Sequence, residues 1–511
     1  MKELLAFLLP PATALVGTRI SRIILGKELD EEFKFGLRFA LGLCVGMFAF
    51  TQILLFGSLV GLNLCAFLAW TIFAWAIVEI FILGPKIFAS LQQVRFRIGH
   101  LWLLVLTPAV LLLWAFARLN LVDGVHEFDA AAFWLLKAKF LYYDHGKEFL
   151  NLLHTSNLAY THMDYPWLVP GVYTLTYGAL GGVDEFVLKI WPFWMIVALF
   201  GAIFSIAQVW RRPHPAPILM IVLLCYLPAT ELFLGQEGAT VPLLFGVSTA
   251  ALLLVISFAR KSPLALAAGL LALACCAAIK LEGILYSIIW ICPIGLYCWR
   301  HRWLKSRLIW KSALFGACLL VPYFSIRFQK PVLYPEAHWL REAAATPGGV
   351  LHRYPQTVFL AIGRRIFNNA FFEWDSPDKD HLHYIGSWQG RNTLEGPELS
   401  VLPWILFLIL GLTFWKKPRC RLTLGVLLVV IVGQFLTLSL VISSLRPQQS
   451  DVNGVIDFSG DLVGRYFYPF FVACFLGTMA IWLLDHAADQ TAISKAAEPD
   501  AEPIAAEASV D

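Results

Sequence analysis

The sequence predicts an all-α protein that crosses a membrane many times. Three observations carry this. Of 511 residues, 59% are hydrophobic and only 14% charged, against roughly 25% charged in soluble domains, and the mean hydropathy is +0.70. A chain this apolar lacks the polar surface to cover itself, so most of its solvent is lipid. About thirteen apolar stretches approach the ~20 residues that span a bilayer: 4–25, 38–58, 63–83, 101–118, 187–209, 216–234, 240–258, 263–279, 284–299, 309–326, 399–415, 422–443 and 466–485. Finally, the basic residues gather in alternate connections, as they do on the cytoplasmic side of membrane proteins.

Taken in order, the first run contains Pro10 and Pro11 and no small-residue cleavage motif, so it reads as a span rather than a cleavable signal. With the next two it forms a three-helix membrane extension, residues 1–99, to which the sequence assigns no role. The basic connections are Lys86/Arg95/Arg97, Arg211/Arg212, Arg260/Lys261, Arg300/Arg302/Lys305/Arg307 and Lys416/Lys417/Arg419/Arg421. All five fall on one side only if Trp167–Gly182 does not cross. Pro166, Pro170, Gly171, Gly178, Gly181 and Gly182 make that stretch a poor spanning helix, so it is expected to lie against the outer face. Three long loops, 119–186, 327–398 and 444–464, are then extracytoplasmic, and the first two exceed ordinary connection lengths, which points to function. Residues 355–372 read equally as an interfacial amphipathic helix or a helix packed over the bundle. The tail from Ala487, rich in Ala, Glu, Asp and Pro, reads as disordered and cytoplasmic. The ten cysteines sit in or beside apolar runs and read as small buried residues.

The chemistry-bearing residues collect at the outer ends of the spans. The first loop offers Asp123, Glu127 and Asp129 within seven residues, with His126 beside them and His162 and Asp164 further on. Glu237 precedes one span, Lys280 and Glu282 lie between two, and Arg465 opens the last. Ionisable groups at this depth are functional candidates by default. Acids of this kind take a proton from a hydroxyl; Lys280 and Arg465 can hold a phosphate. Each has a plainer reading. Asp129 suits the N-cap of a helix starting at Ala130, Glu127 a solvated loop acid, and Asp164 the turn before Pro166. Lys280 suits a snorkelling anchor, and Arg465 a partner of Asp457 or Asp461. Lys137 and Lys139 read as interface anchors. No Walker loop, dinucleotide fingerprint, zincin motif or nucleophile elbow is present. No cofactor is implied, and a divalent metal on His126, Asp129, His162 and Asp164 rests on donor spacing that loops reach by chance. Nothing points to nucleic acid.

Phe128-Asp129-Ala-Ala-Ala-Phe-Trp134-Leu-Leu-Lys137-Ala-Lys139 resembles the Trp-Asp-Ala…Trp…Lys-Ala-Lys stretch of bacterial multi-pass glycosyltransferases of the GT-C superfamily. That superfamily includes the protein mannosyltransferases and the aminoarabinose lipid A transferase. His162-Met-Asp164-Tyr165-Pro166 resembles its His-Pro-Asp-Tyr-Pro segment, Asp184-Glu185-Phe-Val-Leu-Lys189 the acidic step before the next span, Lys280-Leu-Glu282-Gly283 its Lys-Asn-Glu-Gly, and Arg465-Tyr466 the Arg-Tyr of a late span. The five occur in matching order over residues 100–485. The resemblance implies a GT-C helical bundle with a structured catalytic first loop. It would transfer a sugar from a polyprenyl-phosphate donor to an envelope glycan, lipid or protein on the extracytoplasmic face. Asp129 would be the catalytic base, Lys280 and Arg465 would contact the lipid-linked phosphate, Glu282 would hold Lys280 or the sugar, and His162 and Asp164 would shape the site. One departure stands out. The family's second acid aligns with Thr240, so either Glu237, three residues earlier, takes its place or that acid is absent. A secondary transporter or flippase, and a GT-C-fold assembly protein without activity, are the rival readings.

Overall fold

The computed structural model describes residues 2–93, 130–207, 238–331, 412–445 and 473–480, apart from scattered single positions that include His162 and Asp164. Among the described residues every regular element is helical. The helices are α1 (Lys2–Leu25), α2 (Leu29–Glu32), α3 (Phe35–Val60), α4 (Cys65–Gln93), α5 (Leu136–Tyr143), α6 (Lys147–Leu153), α7 (Leu168–Leu180), α8 (Ile190–Ala207), α9 (Thr240–Arg260), α10 (Pro263–Ile279), α11 (Leu281–Arg300), α12 (Arg307–Phe328) and α13 (Pro418–Leu445). A π-helical turn, Ala130–Leu135, leads into α5. Among the described residues six helices are long and apolar enough to cross a membrane: α1, α3, α4, α9, α11 and α12. Shorter apolar helices lie at Ile190–Ile203, Pro263–Ile279 and Thr423–Gln434. The chain is thus an α-helical protein of multi-pass membrane character. The expected spans at 101–118 and 216–234, most of those at 399–415 and 466–485, most of the loops 327–398 (with its helix at 355–372) and 444–464, Arg465 and the tail lie outside the described residues.

Small residues set the helix contacts, as they must where lipid supplies no hydrophobic drive between helices. Gly42 and Gly46 of α3, four residues apart, present bare backbone to α1; a Cβ on Gly17 would strike the Gly42 carbonyl and one on Gly46 the Thr13 backbone. The same logic joins the start of α3 to the end of α8, where Gly36 meets Gly201 and the Leu37 amide donates to Ser205 Oγ at 3.1 Å. The N-terminal helices are therefore built into one apolar core with α8, α9 and α10. In the centre α9 is buried from Val241 to Phe258. At the periphery α4, α11 and α12 expose Phe67, Phe81, Ile291, Trp299, Leu314 and Phe328, the large apolar surface expected of lipid-facing helices. Six cysteines are buried as expected, but Cys292 and Cys318 lie on these exposed faces.

Two ends of the bundle can be told apart. At one, the Tyr297 hydroxyl donates to the Phe258 carbonyl at 3.1 Å, bringing together the connections that carry Arg260/Lys261 and Arg300/Arg302/Lys305. Gly433 packs on Ile289, and Gly477 on both Val255 and Leu427, which sets Lys416 and Lys417 at this same basic end. Here burial, aided by Lys261 and Arg300, pushes the His301 imidazole down. Arg22 and Arg38 both pair with Asp30, Arg22 at 3.3 Å. At the other end Leu55 and Leu59 of α3, Ile284 of α11 and Ile326 of α12 meet the loop residues Phe149, Met163 and Trp167.

The stretch expected to lie on the outer face forms α7, whose 13 residues are too few to cross. It is buried on every side rather than laid over a face. The glycines read as helix-weakening are the reason: Gly171 packs on Thr51 of α3, and Gly178 on the Cys65 backbone of α4. Thr174 also donates to the Ala138 carbonyl of α5 at 3.0 Å.

Candidate functional site

α10 and α11 are joined by a single extended residue, Lys280 (φ −155°, ψ 161°). α10 begins on a local signal: Ser262 caps it by accepting the Ala265 amide at 3.0 Å, and Pro263 occupies the first helical position. Its end is marked by the reversal at Lys280, which brings α11 back so tightly that Ser287 Oγ donates to the Leu273 carbonyl at 2.9 Å. Gly283 makes this geometry accessible, because a Cβ there would collide with the carbonyl oxygen of Cys276. Gly283→Ala is expected to cost about 1–3 kcal/mol, the usual range for overpacking, measured as a lowered melting temperature in detergent.

The turn places two charges together. Lys280 Nζ lies 3.7 Å from Glu282 Oε1, with side chains 11% and 15% exposed. Each sits where a helix terminus favours it, the cation at the C-terminal end of α10 and the carboxylate in the first turn of α11. Glu282 Oε2 is buried and has no hydrogen-bond partner among the described residues. The junction lies at the end of the bundle opposite the basic connections, since Gly283 approaches Leu243 at the start of α9 and Gly246 packs on Ile279.

A second buried cation was not foreseen. Lys137, expected to anchor at the interface, is fully buried. Its Nζ lies 5.4, 5.6 and 5.3 Å from the ring centroids of Trp134, Tyr165 and Trp167, within cation–π range of all three. The π-helical turn at Ala130–Leu135 immediately precedes it, and such turns shift the register of the side chains that follow. Lys139, by contrast, stays half-exposed and pairs with Glu185 at 2.6 Å, an arrangement of small energetic weight. The i, i+3 spacing of Trp134 and Lys137, with Tyr165-Pro166-Trp167 further on, is the signal that would have revealed the cage. Further along the same loop, burial, with Glu148 nearby, pushes the Asp144 carboxyl up, and burial pushes the His145 imidazole down.

Of the predicted site residues, Lys280 and Glu282 are described and paired. Asp129, Glu237, Arg465, His162, Asp164 and Glu127 lie outside the described residues, as does His126. Among the described residues no group of three His, Cys, Asp or Glu is placed to hold a metal ion. The described neighbours of three predicted positions, Asp129, Asp164 and Glu237, do meet. Ala130 follows Asp129 and starts the turn that carries Trp134; Met163 and Tyr165 flank Asp164; Gly238 follows Glu237. Trp134 and Tyr165 stand 6.3 Å apart, and Gly238 packs so closely on Trp134 that a Cβ would lie 2.9 Å from its indole nitrogen. Met163 and Trp167 share an apolar cluster with Ile284, one turn beyond Lys280. A fixed ammonium at a helix junction is suited to holding an anionic group.

Comparison with protein-family models, curated proteins and solved structures finds no match to this chain.

Proposed function

We propose that this chain is a GT-C-type membrane glycosyltransferase of about thirteen spans, residing in the cell membrane. It transfers a sugar from a polyprenyl-phosphate carrier to a hydroxyl of an envelope glycan, lipid or protein on the extracytoplasmic face. The acceptor oxygen attacks the anomeric carbon, Asp129 takes the acceptor's proton, and the bond from that carbon to the phosphate oxygen breaks. The carrier phosphate leaves with the bonding pair, so the anomeric centre inverts in one displacement. Lys280 and Arg465 balance the charge that grows on the leaving phosphate; Glu282 holds Lys280; His162, Asp164 and Glu127 line the donor pocket. Glu237 stands in for the second acid.

The observation that carries this reading is the buried Lys280–Glu282 pair at the end of the bundle away from the basic connections. Short basic connections stay in the cytoplasm, which supports reading the pair as facing the outer side. The meeting of the residues that flank Asp129, Asp164 and Glu237 supports a single site. A transporter is the weaker reading, because it calls for charged groups near the midplane and for internal repeats. The test is purified protein in lipid vesicles with polyprenyl phosphate carrying a labelled hexose or pentose. Release of bare polyprenyl phosphate together with label on an envelope extract is expected. Movement of intact loaded carrier across the vesicle, without release, would establish the transporter reading instead.

A further inference from the structure

Gln52 lies mid-way along α3, one of the three N-terminal helices to which the motifs assign nothing. It is 1% exposed, and neither its amide oxygen nor its amide nitrogen has a hydrogen-bond partner among the described residues. A primary amide buried this way inside a membrane bundle is destabilising unless something uses it. Its position says what is within reach. Leu55 and Leu59 follow it at i+3 and i+7, on the same face of the helix. Both belong to the apolar cluster formed with Trp167 and Met163 of the loop, Ile284 of α11 and Tyr323 and Ile326 of α12. That cluster is bounded on one side by a wall of the Lys137 cage, Trp167, and on another by the first turn of α11, where Glu282 Oε2 is likewise buried without a partner.

α3 thus reaches this cluster through Leu55 and Leu59, next along the helix from Gln52, and the turn that bears Lys280 and Glu282 reaches it through Ile284. The amide offers two N–H donors and a carbonyl acceptor, Glu282 Oε2 accepts, and Lys280 carries positive charge. A group that fits all of them carries several hydroxyls, each both donor and acceptor, beside an anion. We propose that Gln52 is a sugar-binding residue: its amide hydrogen-bonds ring hydroxyls of the lipid-linked donor while Lys280 faces the phosphate. This rests on the glycosyltransferase reading. It also makes α3 a wall of the donor site, so that residues 1–99 serve binding as well as packing.

Gln52→Met keeps the shape and removes the polar atoms; Gln52→Leu is the second variant. Binding to the full-length protein in detergent is measured for polyprenyl phosphate, bare or carrying one hexose or pentose. The expected result is a ligand-free protein that melts no lower than native, about tenfold weaker binding of the loaded carrier, and unchanged binding of the bare carrier. Equal loss for bare and loaded carrier overturns the sugar assignment, and undiminished binding of the loaded carrier removes Gln52 from the site. If the native protein binds neither form, the glycosyltransferase reading fails with it. If the native protein binds both and only the variants' preference is unaltered, that reading survives and the Gln52 inference alone falls.

Discussion

Asp129→Asn is expected to lower sugar transfer by about 10²–10⁴-fold, the usual contribution of a general base, with no loss of folded protein. The asymmetry follows from what each residue can do. Asparagine keeps the size and the carbonyl oxygen of aspartate but does not accept a proton at neutral pH. It caps helix N-termini as well as aspartate does, so the helical turn that begins at Ala130 keeps its start. Stability should therefore shift by no more than about 0.5 kcal/mol, as for a surface change away from special features. The measurement is carrier discharge in vesicles beside a melting curve of the same preparation. Native turnover by Asp129→Asn would end the proposed mechanism, and a parallel fall in activity and melting temperature would trace the loss to folding rather than to a missing base.

Lys280→Ala should produce two separable losses. Removing one partner of a buried ion pair leaves the other charge uncompensated, at a cost of about 3–5 kcal/mol in comparable cases; Glu282 lessens this by taking up a proton. Donor binding should weaken about 10–100-fold as well, since a charge-assisted hydrogen bond contributes about 1.5–3 kcal/mol. Replacing both partners separates the two effects. Lys280→Met with Glu282→Leu substitutes an apolar pair, which is often neutral or stabilising, so the melting temperature should recover while the bare polyprenyl phosphate stays weakly bound. Recovery of both would make the pair a structural tie between α10 and α11. Unchanged affinity in the single variant would remove Lys280 from the phosphate site.

Much of the scaffold is readable from hydropathy because spanning helices need long apolar runs. The expected 263–279 is α10 to the residue, bounded by Ser262-Pro263 at one end and Lys280 at the other, and 240–258 differs from α9 only at its basic last turn. Of the five basic connections, the three among the described residues, at Arg260/Lys261, Arg300/Arg302/Lys305/Arg307 and Lys416/Lys417, gather at one end as the alternation implies. What escaped the sequence depends on contacts between distant segments. Gly171 and Gly178 looked like breakers of a surface helix, yet they fit α7 between α3 and α4. Lys137 looked like an anchor because cationic side chains at an aromatic helix usually reach for water; the π-helical turn and the ring of Tyr165, 28 residues away in sequence, give it a different environment. Gln52 carried no signal at all, since a single polar residue in an apolar span reveals its neighbours only once the helices are packed. The Lys280–Glu282–Gly283 turn was legible, and the structure adds the reason for its glycine.

On the proposed reading, the one-residue junction at Lys280 bears on how fast a charged lipid is received. A cation on a long flexible loop must be gathered and its hydration stripped each time an anion arrives, and that reorganisation adds to the barrier. Here the backbone bearing the ammonium is clamped between two rigid rods, with Gly283 against the Cys276 carbonyl and Ser287 against that of Leu273. The orienting work is done once, during folding, so the field at the junction stands ready before any carrier approaches.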